Sequence, residues 1–136
     1  MTAVSLENLT VLMTPEDLAA AVDMSDSVLV VIDVHKKWCG PCDAMFPTFT
    51  EMWKVFPECD RRMSLYSAEI EILGEDVQNL LPEEMKTNIT GRGCAPMFLV
   101  LRNKVVKAKV EGCNSPVLSI ELRKYMGPRP EAVEEF

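Results

Sequence analysis

The chain has 136 residues, with 14 Lys plus Arg against 21 Asp plus Glu, a net charge of −7, and 48% apolar and 26% charged residues. That length suits one domain with an adequate core, and the acidic balance argues against nucleic acid as the principal partner. No apolar run approaches the length of a bilayer span, and Met1 to Glu7 lacks the basic and apolar parts of a signal peptide, so a cytosolic or equivalent reducing compartment and no membrane partner are expected. No internal repeat or low-complexity segment interrupts the chain. Leu9 to Met13 is short and partly β-branched, a first strand. Thr14-Pro15-Glu16-Asp17 then signals a helix start, with Thr as N-cap, Pro at the first position and acids near the positive end. Leu18, Ala21 and Val22 supply its apolar face, and residues 23–27 end it. Val28 to Val34 is apolar apart from Asp33, as expected of a central strand covered on both faces.

Trp38-Cys39-Gly40-Pro41-Cys42 follows that strand directly and leads into a helical pattern over residues 43–56, where Met45, Phe49, Met52 and Phe56 form an apolar stripe. Pro47 is expected to kink this helix and Pro57 to end it. Met63 to Ile70 reads as a third strand, and residues 75–85 as a helix whose end is blurred by Pro82. Gly91 to Pro96 reads as a loop before a strand over 97–101, a turn at Asn103-Lys104, and a return strand over 105–111. Residues 112–116 lead to a last helix over 117–126, stopped by Gly127-Pro128-Arg129-Pro130. Strands separated by helices, then a hairpin and a final helix, describe an α/β fold with helices on both faces of a sheet. Residues 1–8 read as an N-terminal extension, 9–126 as the domain and 127–136 as an acidic C-terminal tail.

Two cysteines two residues apart can close a small disulfide ring, because Gly40 and Pro41 allow a tight first helical turn. A thiol at a helix N-terminus has its thiolate favoured by unpaired amide N–H groups and the positive end of the helix dipole. Such a pair suits a dithiol that cycles with a disulfide. Five cysteines, an odd number with one Cys-x-x-Cys, fit redox or structural thiols better than a secreted disulfide framework. Half of a zinc site is the competing reading, but the chain has no second Cys-x-x-Cys and one His.

Trp38-Cys39-Gly40-Pro41-Cys42 after a buried strand resembles the active site of the thioredoxin family. Asp33, six residues before Cys39, is like the family's buried Asp; Pro96 is like its cis-proline and Gly112 like its glycine after the last strand. The resemblance spans roughly residues 9 to 126 and implies the thioredoxin fold, a central mixed sheet of four to five strands flanked by helices on both faces. It implies Cys39 as nucleophile, Cys42 as resolving thiol, a redox-active Cys39–Cys42 disulfide and Asp33 as proton acceptor for Cys42. Trp38, Gly40, Pro41, Ala95 and Pro96 would form the surface where a client or partner docks as an added strand. Neither a metal nor an organic cofactor is implied.

Three shorter stretches resemble the thioredoxin-like light chains of axonemal outer-arm dynein and the thioredoxin domains fused to nucleoside diphosphate kinases. They are Ser67-Ala68-Glu69-Ile70, Cys94-Ala95-Pro96-Met97-Phe98 and Gly112-Cys113-Asn114-Ser115-Pro116. This resemblance implies a dynein heavy chain as partner and a ciliary or flagellar axoneme as location. A free cytosolic thioredoxin that reduces disulfide-containing clients is the alternative. Read from its residue type alone, Asp33 has a competing, less favoured account as a strand residue hydrogen-bonded at a sheet edge. His35 stands where thioredoxins usually carry an aromatic residue; it either alters thiolate stability nearby or is a half-exposed packing substitute, the latter being favoured. Cys94 would come near Cys39 and accept a cap such as glutathione, or serve as a small apolar residue, the reading also given to Cys59 and Cys113.

Overall fold

The computed structural model describes residues 9–36, 46–55, 62–86, 97–112 and 114–126. The elements in order are β1 (Leu9–Leu12), α1 (Pro15–Met24), β2 (Leu29–His35), α2 (Phe46–Val55), β3 (Met63–Glu69), α3 (Ile70–Leu80), a 3-10 turn (Glu83–Met85), β4 (Met97–Arg102), β5 (Val105–Glu111) and α4 (Ser115–Met126). The five strands form one sheet in the order β1-β3-β2-β4-β5. β1, β3 and β2 run parallel, while β4 is antiparallel to both β2 and β5. β2 is therefore central, and the sheet-edge reading of Asp33 is corrected: its strand is hydrogen-bonded on both sides.

Alternation along the strands divides the core in two. Leu29 and Val31 of β2 join Leu65, Phe98, Val100 and Val110 under Phe49 and Met52 of α2 and Leu118, Leu122 and Met126 of α4. Val30, Ile32 and Val34 join Met97, Leu99 and Leu101 against Leu18 and Ala21 of α1 and Ile70, Leu73 and Val77 of α3. Every residue of β2 is buried, which is why the strand is almost continuously apolar. Phe49 and Met52 of the predicted apolar stripe are core residues; Met45 and Phe56 lie outside the described residues.

The first helix begins as expected. Thr14 Oγ1 accepts from the Asp17 amide at 3.1 Å and the Thr14 amide donates to Asp17 Oδ2 at 3.2 Å, a capping box with Pro15 at the helix start. The hairpin between β4 and β5 turns on Asn103 (φ 56°) and Lys104 (φ 65°), both left-handed as a two-residue turn of this twist requires. Buried Ser25, just past α1, grips this turn: its carbonyl accepts from the Asn103 amide at 2.8 Å and its Oγ from the Lys104 amide at 2.7 Å.

Two helices depart from expectation. α3 starts at Ile70, immediately after β3, rather than at residue 75, and ends at Leu80 ahead of Pro82. Its buried Ile70, Leu73, Gly74 and Val77 recur at helical spacing, and no side chain caps its start, so no local signal separates it from the strand. α4 starts at Ser115 rather than 117, with Asn114 Oδ1 accepting from the Val117 amide. Pro47 falls in the first turn of α2, where a missing N–H is tolerated; the residues in front of α2 lie outside the described residues.

Candidate functional site

The carboxyl end of β2 is where the sheet delivers the chain toward Cys39. On the face toward α2, the strand changes character there: Leu29 and Val31 give way to Asp33 and His35 at the same parity. Asp33 is 4% exposed, His35 3% and Ser67 of β3 2%. Ser67 is the register partner of Asp33, and Glu69 that of His35. Parallel neighbours in a sheet stand ~4.8 Å apart with side chains on one face, so Asp33, Ser67 and His35 form one polar cluster.

The two ring nitrogens of His35 are both engaged. Nδ1 lies 2.9 Å from the Lys36 carbonyl oxygen and Nε2 lies 2.7 Å from Ser67 Oγ. A carbonyl oxygen only accepts, so Nδ1 carries the hydrogen, and the neutral ring takes the Ser67 hydroxyl hydrogen at Nε2. The half-exposed packing role expected of His35 is thus corrected: the ring is buried, and it is held by hydrogen bonds in addition to packing. Its partner Ser67 is 32 positions away, and nothing in the linear order pairs the two.

Asp33 borders a narrow crevice shared with Leu9, Val31, Phe49, Leu65, Tyr66 and Phe98, and its Oδ1 is shut off from solvent. Phe49 of α2 lies over Phe98 of β4, with ring centroids 6.2 Å apart at 58°, so this side of the carboxyl group is walled by aromatic rings. Among the described residues, no three His, Cys, Asp or Glu side chains are grouped to hold a metal ion.

Of the residues singled out from the sequence, Asp33 stands in the central strand at its carboxyl end. Trp38, Cys39, Gly40, Pro41 and Cys42 lie outside the described residues, as do Ala95, Pro96, Cys59, Cys94 and Cys113. β2 ends four residues before Cys39, and β4 begins at Met97, directly after Pro96. β2 and β4 pair with each other, Val34 opposite Met97, so the chain enters and leaves these two segments from adjacent strands at the same end of the sheet. Ser67 was not legible as a site residue, because its importance comes from register; the available signal was a small polar residue in an otherwise half-apolar strand.

The thioredoxin family profile matches residues 10–124. The chain belongs to the thioredoxin family. Solved structures similar to it include thioredoxins, and they bear on the fold. The thioredoxin of Malassezia sympodialis has a TM-score of 0.63 at 16% identity, covering 93% of this chain and 96% of that one. Mitochondrial thioredoxin 3 of Saccharomyces cerevisiae has a TM-score of 0.60 at 19% identity, covering 87% and 96%.

Among relatives by sequence, the 14 kDa light chain of the flagellar outer-arm dynein of Chlamydomonas reinhardtii is 30% identical over 102 residues, 75% of this chain and 69% of that one. The 16 kDa light chain of the same arm is 32% identical, covering 67% and 53%. Human thioredoxin domain-containing protein 3 is 34% identical over 91 residues, 67% of this chain but 13% of its own length. The chain thus spans only part of several relatives, and their other regions have no counterpart in the match. No helix among the described residues is long and apolar enough to cross a membrane.

Proposed function

We propose that this chain is a thioredoxin-like light chain of an axonemal outer-arm dynein that docks on a heavy chain and retains dithiol–disulfide exchange at Cys39 and Cys42. The observation that carries this reading is its likeness to two flagellar outer-arm light chains, 30% and 32% identical, together with the intact Trp38-Cys39-Gly40-Pro41-Cys42 sequence. Buried Asp33 near the end of β2, six residues before Cys39 in the sequence, supports this reading, since burying a carboxyl group works against stability.

In the proposed reaction the Cys39 thiolate attacks one sulfur of a client disulfide; that S–S bond breaks and the second client sulfur leaves as a thiolate. Cys42 then gives its proton to Asp33 and attacks the Cys39 sulfur of the mixed disulfide. The client leaves fully reduced and the two electrons lost by the protein are recorded in the new Cys39–Cys42 disulfide. A dithiol reductant must reopen that disulfide before another turnover. Trp38, Gly40, Pro41, Ala95 and Pro96 form the docking surface in this scheme, with the backbone edge at Pro96 pairing with an extended client segment.

A free cytosolic thioredoxin is the second reading. It is favoured by 27% identity to the thioredoxin of Ophiophagus hannah, of which this chain covers 91%. The two readings separate in a trapping experiment with Cys42→Ser, which leaves the mixed disulfide on Cys39 unresolved. Recovery of one heavy chain from ciliary extract supports the light-chain reading. Recovery of many soluble clients without a heavy chain overturns it in favour of the general reductase.

A further inference from the structure

The sheet has β1 at one edge and β5 at the other, and the two edges are built differently. β5 is seven residues long and carries Lys107, Lys109 and Glu111, with Lys109 Nζ donating to the Met85 carbonyl at 2.7 Å and paired with Glu111 at 3.3 Å. Charges on an edge strand keep other chains from pairing with it. β1 has no such protection. Leu9-Thr10-Val11-Leu12 holds no charge and no proline, and it pairs with β3 on one side and, among the described residues, with no strand on the other. Val11 is 55% exposed, and Met13, just past the strand, 53%. We propose that β1 is a docking edge that takes an extended, basic segment of a partner protein as an added strand. This gives the docking half of the light-chain reading a place on the molecule, and it rests on that half and not on thiol exchange.

Alternation along β1 decides what such a strand meets on each face. Leu9 packs on the core beneath α2 and α4, and Leu12 belongs to the core beneath α1 and α3. Val11 therefore shares the first face and Thr10 the second. A strand added ~4.8 Å away continues both faces. On the first, its side chains lie against Val11 and Leu9, beside the crevice that Leu9 shares with Phe49 and Phe98, and apolar residues bury surface there. On the second, they look toward the layer of α1 and α3.

That layer selects the charge of the partner. α1 carries Glu16, Asp17 and Asp23, α3 carries Glu71, Glu75 and Asp76, and neither helix has a Lys, Arg or His. In the opposite layer, α2 and α4 set Lys54, Arg123 and Lys124 against Glu51 and Glu121. Helical acid is thus gathered on one side of the sheet, and α1 brings it to β1: Asp17 Oδ2 accepts from the Met13 amide at 3.0 Å, where the chain leaves the strand. Lys104 pairs with Asp23 and Asp26 at the other end of α1. A matching segment alternates apolar residues toward α2 with Lys or Arg toward α1. A second copy of this chain brings an uncharged strand and the same acidic layer, so it repels where a basic segment attracts.

The test titrates the full chain with synthetic peptides of about eight residues at low ionic strength and follows its backbone amides by nuclear magnetic resonance. A Lys-Val repeat is expected to shift residues 9–13, and a Glu-Val repeat to leave them in place. A Lys-Ser repeat keeps the charge without the apolar side chains and is expected to bind at least about tenfold more weakly than Lys-Val. Val11→Lys puts a cation on the exposed edge, outside the core, and is expected to weaken the Lys-Val repeat by a similar factor. Shifts confined to α1 and α3, or equal binding of the Lys-Ser repeat, mean general attraction to an acidic surface and overturn the proposal. Contact of residues 1–8 with β1 in the free chain, or self-association through β1, names another occupant and overturns it too. Co-sedimentation with axonemes separates this from the light-chain reading. Its loss in Val11→Lys alone supports the docking edge, and its retention in Val11→Lys overturns the edge with the light-chain reading intact. Its absence in the unaltered chain overturns both, a result that appears before any substitution.

Discussion

The two faces of β2 are built from one seven-residue strand yet differ in kind. Val30, Ile32 and Val34 face α1 and α3 among Leu73, Val77, Met97, Leu99 and Leu101, an apolar layer. The opposite face starts the same way, with Leu29 and Val31 under α2 and α4, and then turns polar at Asp33 and His35. The contrast separates two tasks along one strand. The first face stabilises the sheet, and the carboxyl end of the second holds a buried acid and a hydrogen-bonded imidazole where the chain runs on to Cys39. Burying such groups works against stability, a cost that the proposed exchange chemistry would account for.

If the division is real, substitutions on the two faces will have opposite profiles. Leu99→Ala removes a fully buried side chain opposite Ile32 and is expected to lower stability by about 2–5 kcal/mol, read in urea unfolding, with exchange per folded molecule unchanged. Loss of exchange in the folded fraction would break the comparison. Asp33→Asn is expected to do the reverse, slowing the resolving step about 100-fold while the urea midpoint does not fall. A stability loss as large as that of Leu99→Ala, with exchange intact, would make Asp33 a structural residue.

Smaller effects away from both faces sharpen the same contrast. Thr14→Ala breaks the capping box of α1 and is expected to cost about 1 kcal/mol in urea, with no effect on thiol reactivity. Lys104→Gly relieves a left-handed side-chain position in the hairpin turn and is expected to raise stability by up to about 1 kcal/mol. Its ion pairs to Asp23 and Asp26 are exposed and do not offset that gain.

Where structure is set by neighbours along the chain, the sequence was enough. The capping box at Thr14, the continuous apolar run of β2 and the turn at Asn103 and Lys104 all act within a few residues, and each stands where its chemistry points. Position across the sheet was legible only through likeness to a family. Nothing local marks Ile70 as a helix start, because α3 follows β3 without a cap and its first apolar residue also fits the strand. His35 looked like a half-exposed substitute for an aromatic ring, because its partner Ser67 comes from another strand. Asp33 was singled out by its place before Cys39, and the register that sets it opposite Ser67 supplied its surroundings.

The most direct test is a redox titration of the intact chain against a dithiol buffer, with free thiols alkylated at each point and the peptides weighed. The predicted result is one two-electron couple that joins Cys39 to Cys42, with a potential of about −270 mV, as for thioredoxin itself. Failure of those two sulfurs to join under oxidising conditions, or their joint capture of a tetrahedral metal, would contradict it.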